Sequence, residues 1–262
     1  MIPAILCYHK IERRRELGVT RLSPERFATQ MHTLARQGWR AVPLSDLRDA
    51  LRGEQRADER TIAITFDDGY RGLRDHAFPV LRDVGFSATC FVITDYAGRL
   101  NRWDVAYGGR RFAHLGWRDI ETWGGQGITF ESHTATHPRL PWVDDHQLAD
   151  ELVRSRHDLE LALGAPRFAI AYPFGAVDDR VVAAATDAGY TIGFGLGRRW
   201  MGDIMRVPRA AIHSWSPRLP VVGPLGRVER VVSQVASRCA VATSLLRRLT
   251  TPAERRTRRV TR

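Results

Sequence analysis

The chain alternates short apolar segments with segments of helical periodicity, and this alternation limits its fold more than any other feature. Seven apolar segments predict strands, because each is four to seven residues long and most are bounded by Gly, Pro, Asp or Ser. Their nearly continuous apolar composition is typical of parallel strands that are buried on both faces. The predicted strands are Ile2–Tyr8, Thr61–Phe66, Ala88–Ile93, Ile128–Glu131, Phe168–Tyr172, Tyr190–Phe194 and Val207–Ile212.

Amphipathic segments between these strands predict helices. Ser23 and Pro24 are a cap and a first-turn proline for the first helix, which Gly38 ends. The later helices are Ser45–Arg52, Tyr70–Val84, Trp117–Trp123, Asp144–Leu163 and Asp178–Ala188. Pro79 is expected to kink or divide its helix. Seven or eight strand–helix units in 262 residues favour the α/β class, with a parallel sheet that closes into a (β/α) barrel.

Composition excludes several classes of protein. The 44% hydrophobic fraction and the mean hydropathy of -0.30 exclude wholesale disorder. No stretch approaches the roughly 18 apolar residues of a membrane span, which excludes an integral membrane protein. Three cysteines, Cys7, Cys90 and Cys239, are too few and too scattered for a disulfide framework, so we expect buried, inert thiols.

The positive charge is concentrated at the C-terminal end. The net charge is +11, and Lys10 is the only lysine, so arginine carries nearly all of it. Residues 227–249 place apolar side chains on one helical face, and arginines follow to residue 262. We expect a catalytic domain over 1–222 and, over 223–262, a basic amphipathic helix with an arginine-rich tail. The helix packs on the body or a partner subunit, or it lies on an anionic membrane; the tail is solvated or binds an anionic surface.

The first eight residues predict the location of the protein. They form a strand-like run and lack the basic lead, long apolar stretch and cleavage site of a signal peptide. We therefore expect no signal peptide and a cytoplasmic protein. A basic helix bound to lipid would place it peripherally at the inner membrane face.

Polar side chains follow several of the predicted strands, where a parallel barrel has its active site. Asp67 and Asp68 directly follow a buried strand, and Gly69 allows a sharp turn. Two close carboxylates require a cation or a shared proton. A helix cap at a strand–helix turn is the alternative interpretation.

A histidine pair follows another strand. His133 and His137 are four residues apart, a spacing that suits two imidazoles on one metal, although it also arises by chance. Together with Asp68 they form the two-nitrogen, one-oxygen ligand set of a catalytic zinc with an open position for water. Asp67 is then available as a base.

Two further segments carry weaker signals. In residues 171–175, Ala-Tyr-Pro-Phe-Gly, a backbone N–H could help to hold an oxyanion, or the segment is an ordinary turn. Arg209 and His213 share a face if their segment is a strand, and a histidine at a strand end can act as a general acid. An exposed histidine without a role is the alternative.

These residues resemble the polysaccharide deacetylases of carbohydrate esterase family four, which contain the NodB-homology domain. The resemblance covers roughly residues 1–215. TFDDG at 65–69 and HTATH at 133–137 are similar to the first two family motifs. The opening Tyr-His-Lys-Ile at 8–11 and AYPFG at 171–175 are similar to one subgroup.

The resemblance implies a distorted, seven-stranded TIM-like barrel that binds one divalent metal, usually zinc. Asp68, His133 and His137 would be its ligands, and Asp67 the general base. The backbone N–H of Phe174 would stabilise the oxyanion, and His213 would protonate the leaving amine. Tyr172 and His9 belong to motifs that would contact substrate or the oxyanion.

The chain departs from the family pattern in two places. Many members carry an arginine that orients the base where this chain has Ala171, and we hypothesise that Arg209 supplies the guanidinium instead. The fourth motif, an Asp followed by Trp, has no convincing counterpart, and Asp203 is a poor candidate.

The resemblance implies removal of the N-acetyl group from an amino sugar that is nucleotide-linked, lipid-linked or part of a glycan. One alternative is a hydrolase of the same fold that acts on a non-sugar amide or an acetyl ester. The other alternative is a basic protein that binds nucleic acid or an anionic surface and whose barrel no longer catalyses a reaction. No nucleic-acid motif supports that binder, so we expect no specific nucleic-acid partner.

Overall fold

The computed structural model describes residues 3–14, 20–54, 58–102, 111–197 and 200–214. The predicted C-terminal helix, the expected domain boundary at residue 222 and Cys239 lie outside the described residues. Among the helices in the described ranges, none combines the length and the apolar character that a bilayer crossing requires.

Seven parallel strands close into a barrel, which confirms the predicted fold. The strands in chain order are β1 (Ala4–Tyr8), β2 (Lys10–Ile11), β3 (Arg21–Leu22), β4 (Arg40–Ala41), β5 (Thr61–Phe66), β6 (Ala88–Val92), β7 (Ile128–Ser132), β8 (Ala169–Ala171), β9 (Ile192–Leu196) and β10 (Val207–Ala211). The ring runs β1, β10, β9, β8, β7, β6, β5 and closes because β1 also pairs with β5. The short β4 pairs with the first two residues of β5, while β2 and β3 form a separate pair.

Helices connect most of the barrel strands. They are α1 (Pro24–Arg36), α2 (Leu44–Leu51), α3 (Phe78–Asp83), α4 (Trp117–Gly124), α5 (Asp145–Leu163) and α6 (Asp179–Asp187). Side-chain caps start three of them, since Ser23, Asp144 and Asp178 each accept a backbone N–H in the first turn. A π-helical turn over Leu73–Ala77 precedes α3, so the helix is divided close to Pro79 as predicted.

Strand alternation separates the core into an inner and an outer set. Ile5, Ala63, Phe91 and Phe194 belong to one buried cluster, which also packs against the apolar side of α2. Their strand neighbours, such as Leu6, pack in a second cluster with α1, α3 and α4. Successive side chains of a strand point to opposite faces, so every second residue points into the barrel. The inward side chains that follow the first cluster along each strand therefore meet at the carboxyl ends of the strands.

Candidate metal centre

One carboxylate and two imidazoles meet at these carboxyl ends. Asp68 follows β5, and His133 and His137 follow β7; all three are buried. The Oδ1 atom of Asp68 lies 3.5 Å from Nε2 of each histidine, and the two Nε2 atoms are 3.2 Å apart. Ligands about 2.0–2.1 Å from a tetrahedral zinc lie about 3.3 Å from each other. The three side chains therefore fit a metal ion of this size.

The ring of His133 is oriented for ligation. Its Nδ1 lies 2.7 Å from the carbonyl oxygen of Ala171, at the end of β8. A carbonyl only accepts, so Nδ1–H is the donor, and Nε2 faces Asp68 and His137. Metal-binding histidines characteristically use their second nitrogen in this way.

Backbone strain in the described residues is concentrated at this centre. The non-glycine residues with positive φ are Asp68 (68°), Thr134 (67°), His137 (64°) and Phe174 (60°). Two of them are candidate ligands and one is the candidate oxyanion donor. Each such conformation costs roughly 1–3 kcal/mol and persists only where the surroundings hold it. Strain placed so selectively indicates a functional site.

Hydrogen bonds hold the turn that carries the histidines. The Thr134 N–H donates to Ser132 Oγ at 3.1 Å, and the His137 N–H donates to Thr134 Oγ1 at 3.1 Å. From α5, the buried Glu151 accepts the Thr136 N–H at 2.7 Å and also the Thr136 hydroxyl. Sequence reasoning missed Glu151, although an acid on the buried side of an amphipathic helix was a usable signal.

Arg209 orients Asp67 from β10, which is separated from β5 only by β1. Its Nη1 and Nη2 atoms donate to the two carboxylate oxygens of Asp67 at 2.7 and 2.8 Å. Arg209 is 1% exposed, and its guanidinium lies over the rings of Phe91 and Phe194. A bidentate pair fixes both the position and the plane of the carboxylate. The hypothesis that Arg209 takes the place of a guanidinium at Ala171 therefore has geometric support.

Both carboxyl groups are ionised at neutral pH. Burial alone would raise the pKa of Asp67, but Arg209 and then His133 outweigh it and hold that pKa well below its usual range. Burial opposes ionisation of Asp68 as well, yet its hydrogen bond with His133 and the nearby His137 lower its pKa to about 2. Asp67 is thus able to accept a proton, and Asp68 is able to bind a cation.

Cys7 and His9 lie beside Asp67. The thiol of Cys7 donates to Asp67 Oδ2 at 3.3 Å, and burial raises its pKa well above the usual value. Ligand atoms of Cys7, His9 and Asp67 lie within 4.8 Å of one another. This second group suits a metal less well, because Arg209 already occupies both Asp67 oxygens with a positive charge. Cys7 and Cys90 are buried and free, as expected of the described cysteines.

The turn after β8 places Phe174 next to the centre. The ring of Phe174 lies 4.7 Å, centroid to centroid, from that of His137. Gly175 is required here because its φ is +64° and a Cβ would approach the Leu196 backbone nitrogen to 2.8 Å. Tyr172 is not brought to the centre, since its side chain is fully buried in the cluster that contains Leu152 of α5 and Val181 of α6.

His213 and Asp203, the two remaining candidates from the sequence, lie in different surroundings. His213 lies two residues beyond β10 at the carboxyl end of the barrel and is 8% exposed, so the exposed-histidine interpretation was wrong. Its role as a general acid stays a prediction. Asp203 accepts the N–H of Met205 and pairs with Arg206, which gives it a local structural role.

The comparisons with known proteins agree with this geometry. The family model for polysaccharide deacetylases matches residues 54–193. YxkH of Bacillus subtilis is 28% identical over 189 residues, which are 72% of this chain and 62% of YxkH. The poly-beta-1,6-N-acetyl-D-glucosamine N-deacetylase of Staphylococcus epidermidis is 28% identical over 168 residues, 60% of this chain and 56% of that protein. The chain thus spans less than two thirds of either curated relative.

A solved structure gives the same fold. The Streptococcus pyogenes deacetylase PplD, solved in complex with acetate, superposes with a TM-score of 0.72 at 22% identity, covering 81% of this chain and 93% of that one. The family match includes the turns that carry Asp68 and the two histidines, whereas His9, Arg209 and His213 lie outside it. Since the match covers more than half of the residues, the chain belongs to the polysaccharide deacetylase family.

Proposed function

We propose that this chain is a metal-dependent hydrolase that removes the N-acetyl group from an N-acetylated amino sugar. The observation that carries the proposal is the convergence of Asp68, His133 and His137 beside Asp67, which Arg209 holds outside the ligand set. This combination suits amide hydrolysis, because a Lewis acid can polarise the carbonyl while a separate base accepts a proton from the attacking water. Membership of a deacetylase family supports the hydrolytic chemistry.

Asp68, His133 and His137 would hold the metal, and two nitrogens with one oxygen favour zinc. When bound, the ion would polarise the acetamide carbonyl and lower the pKa of a water molecule in the site. We assign Asp67 as the general base that accepts a proton from the attacking water. The low pKa makes Asp67 a weak base, so Arg209 contributes orientation at some expense of basicity.

The remaining groups complete the hydrolysis. Water adds to the acetamide carbon, and the Phe174 N–H donates to the oxygen that becomes negative. The C–N bond then breaks, His213 donates a proton to the leaving nitrogen, and acetate and a free amine are released. The strained φ of Phe174 and its contact with His137 support the oxyanion assignment.

The substrate class is an N-acetylated sugar that is nucleotide-linked, lipid-linked or part of a glycan. The Staphylococcus epidermidis relative is named for a polymer of N-acetylglucosamine, which favours that sugar unit. A contact with anionic membrane through residues 223–262 stays a prediction, because those residues lie outside the described ranges.

Acetate release and metal content test the proposal together. The zinc-loaded chain is expected to release acetate from N-acetylglucosamine oligomers or from nucleotide-linked N-acetyl sugars. His133→Ala is expected to lose both metal and activity, because it removes one of three ligands. The control His157→Ala changes an exposed histidine of α5 and should retain both.

Two outcomes would contradict the proposal. Unchanged metal content in His133→Ala, measured by elemental analysis, would remove that residue from the ligand set. Turnover of simple acetyl esters or non-sugar amides, with none of the amino sugars, would favour a hydrolase of the same fold with a different substrate.

A further inference from the structure

We infer that His114, on the segment that leads into α4, is a positioning residue for the candidate ligand Asp68. A hydrogen bond from its ring holds the left-handed backbone that directs the Asp68 carboxylate at the histidine pair. The inference deepens the proposed function and rests on it, because it assigns a task only if Asp68 binds a metal.

The contact itself is short and buried. Nδ1 of His114 lies 2.7 Å from the carbonyl oxygen of Asp68, and the histidine is 1% exposed. A carbonyl oxygen accepts only, so the His114 ring is the donor. A hydrogen bond between fully buried groups is costly to remove, because the orphaned acceptor cannot recover a bond from bulk water.

The ring of His114 is held in place by its neighbours. It stacks on Tyr70 with centroids 4.7 Å apart and planes 23° apart, and Tyr96 lies 5.5 Å away. The backbone around it pairs with the turn after β5, since the Arg71 N–H donates to the Ala113 carbonyl at 2.8 Å. The position of the donor is therefore set before any ligand arrives.

The carbonyl groups of Asp68 and Gly69 both accept hydrogen bonds from the segment before α4, but from different kinds of donor. Asp68 and Gly69 both have positive φ, 68° and 65°. The Gly69 carbonyl accepts from the backbone N–H of Leu115 at 2.8 Å, whereas the Asp68 carbonyl accepts from a side chain. Glycine adopts this conformation at little cost, but aspartate does not. The side-chain bond thus lies on the residue that needs support, and it can be removed by substitution.

Three variants separate positioning from general packing. His114→Leu keeps an apolar group of similar size and removes the donor. His114→Asn loses the ring stacking but places an amide N–H near the position of Nδ1. Phe112→Leu is the matched control, because Phe112 packs on Tyr70 at 6.3 Å in the same cluster and does not supply the donor.

The first measurement is the dissociation constant for Zn²⁺ binding to the metal-free chain, obtained by competition with a chromogenic chelator. The second is the midpoint of thermal unfolding of each variant without metal. We expect His114→Leu to weaken Zn²⁺ binding roughly 10- to 100-fold, the usual effect of losing a group that orients a ligand. His114→Asn should recover most of the affinity. Phe112→Leu should lower the midpoint and leave the affinity within about threefold of the parent value.

The inference is overturned if His114→Leu binds Zn²⁺ as the parent does, or if Phe112→Leu loses as much affinity. Should His114→Leu not fold, His114→Gln serves in its place, because its longer side chain carries the amide away from the Nδ1 position. If the parent binds Zn²⁺ and His133→Ala does not, the metal site of the proposed function stands and only the role of His114 is in question. If the parent binds none, both fall.

Discussion

The two sides of the site are built differently. The candidate metal side consists of two turns, one after β5 and one after β7. Within each turn the residues are close in sequence, and several adopt strained backbone conformations. The base side consists of regular strands, β1 and β10, whose inward side chains Cys7 and Arg209 reach Asp67 from inside the barrel.

This difference shows two ways of fixing a reactive group. Strained turns place Asp68 and the histidines where a regular strand could not, and surrounding hydrogen bonds hold the strain. Asp67 needs no such strain, because a bidentate guanidinium buried against two aromatic rings already fixes it. Substitutions on the two sides should therefore affect different measurements.

The largest expected effect separates the base from the ligands. Asp67→Asn should lower kcat by roughly 10² to 10⁴, the usual contribution of a positioned base, and should leave Zn²⁺ affinity within a few-fold. Steady-state kinetics and the chelator competition measure the two quantities. Asp187→Asn, an exposed change in α6, is the control. A kcat of Asp67→Asn close to that of the parent would show that Asp67 is not the general base.

The second effect tests how the base side is stabilised. Arg209→Met leaves the Asp67 carboxylate buried without a countercharge, so the free energy of unfolding should fall by about 3–5 kcal/mol. Urea unfolding measures the loss, and adding Asp67→Asn to the same chain should recover part of it. The control is Arg206→Met, whose ion pairs with Asp179 and Asp203 are partly exposed to solvent. It should cost less than about 1 kcal/mol. Equal losses in both variants would argue against the buried pair.

The smallest effect concerns a buried acid of β7 on the metal side. Burial raises the pKa of Glu131 to about 7, against the opposing hydrogen bonds from Ala169 and Phe168 and the charge of Arg167. The native state then binds more protons than the unfolded state between about pH 4.5 and 7, so stability should fall as pH rises, by at most about 3 kcal/mol.

Glu131→Gln should remove the part of this decline that Glu131 contributes, because the amide does not titrate. Unfolding free energies at pH 5 and pH 8 provide the measurement, with the exposed Glu121→Gln as the control. A decline of unchanged size in Glu131→Gln would place the titrating group elsewhere.

Much of the fold was predictable because its signals are local. The apolar runs of the seven barrel strands placed their ends within one or two residues, and caps such as Ser23 placed the helices. The two-residue strands β2, β3 and β4 were missed, since such short pairs leave no periodicity to detect.

The residues of the site also divide into those with a local sequence signal and those without one. Asp68 and the histidines belong to compact motifs, so their meeting could be expected from sequence. Cys7 contacts Asp67 across 60 residues, and His114 contacts Asp68 across 46, with no pattern that marks either partner. Only closure of the barrel and the return of the 111–116 segment bring these groups together, and both depend on tertiary packing.

The guanidinium of Arg209 lies within the barrel and not on a connecting segment at its mouth. Exchanging the loops around the opening for others, as a change of substrate would require, therefore leaves the orientation of the base untouched. Altering the base itself would mean repacking the interior that keeps the protein folded. The architecture thus leaves the loops open to variation and ties the position of the proposed base to the packing of the barrel.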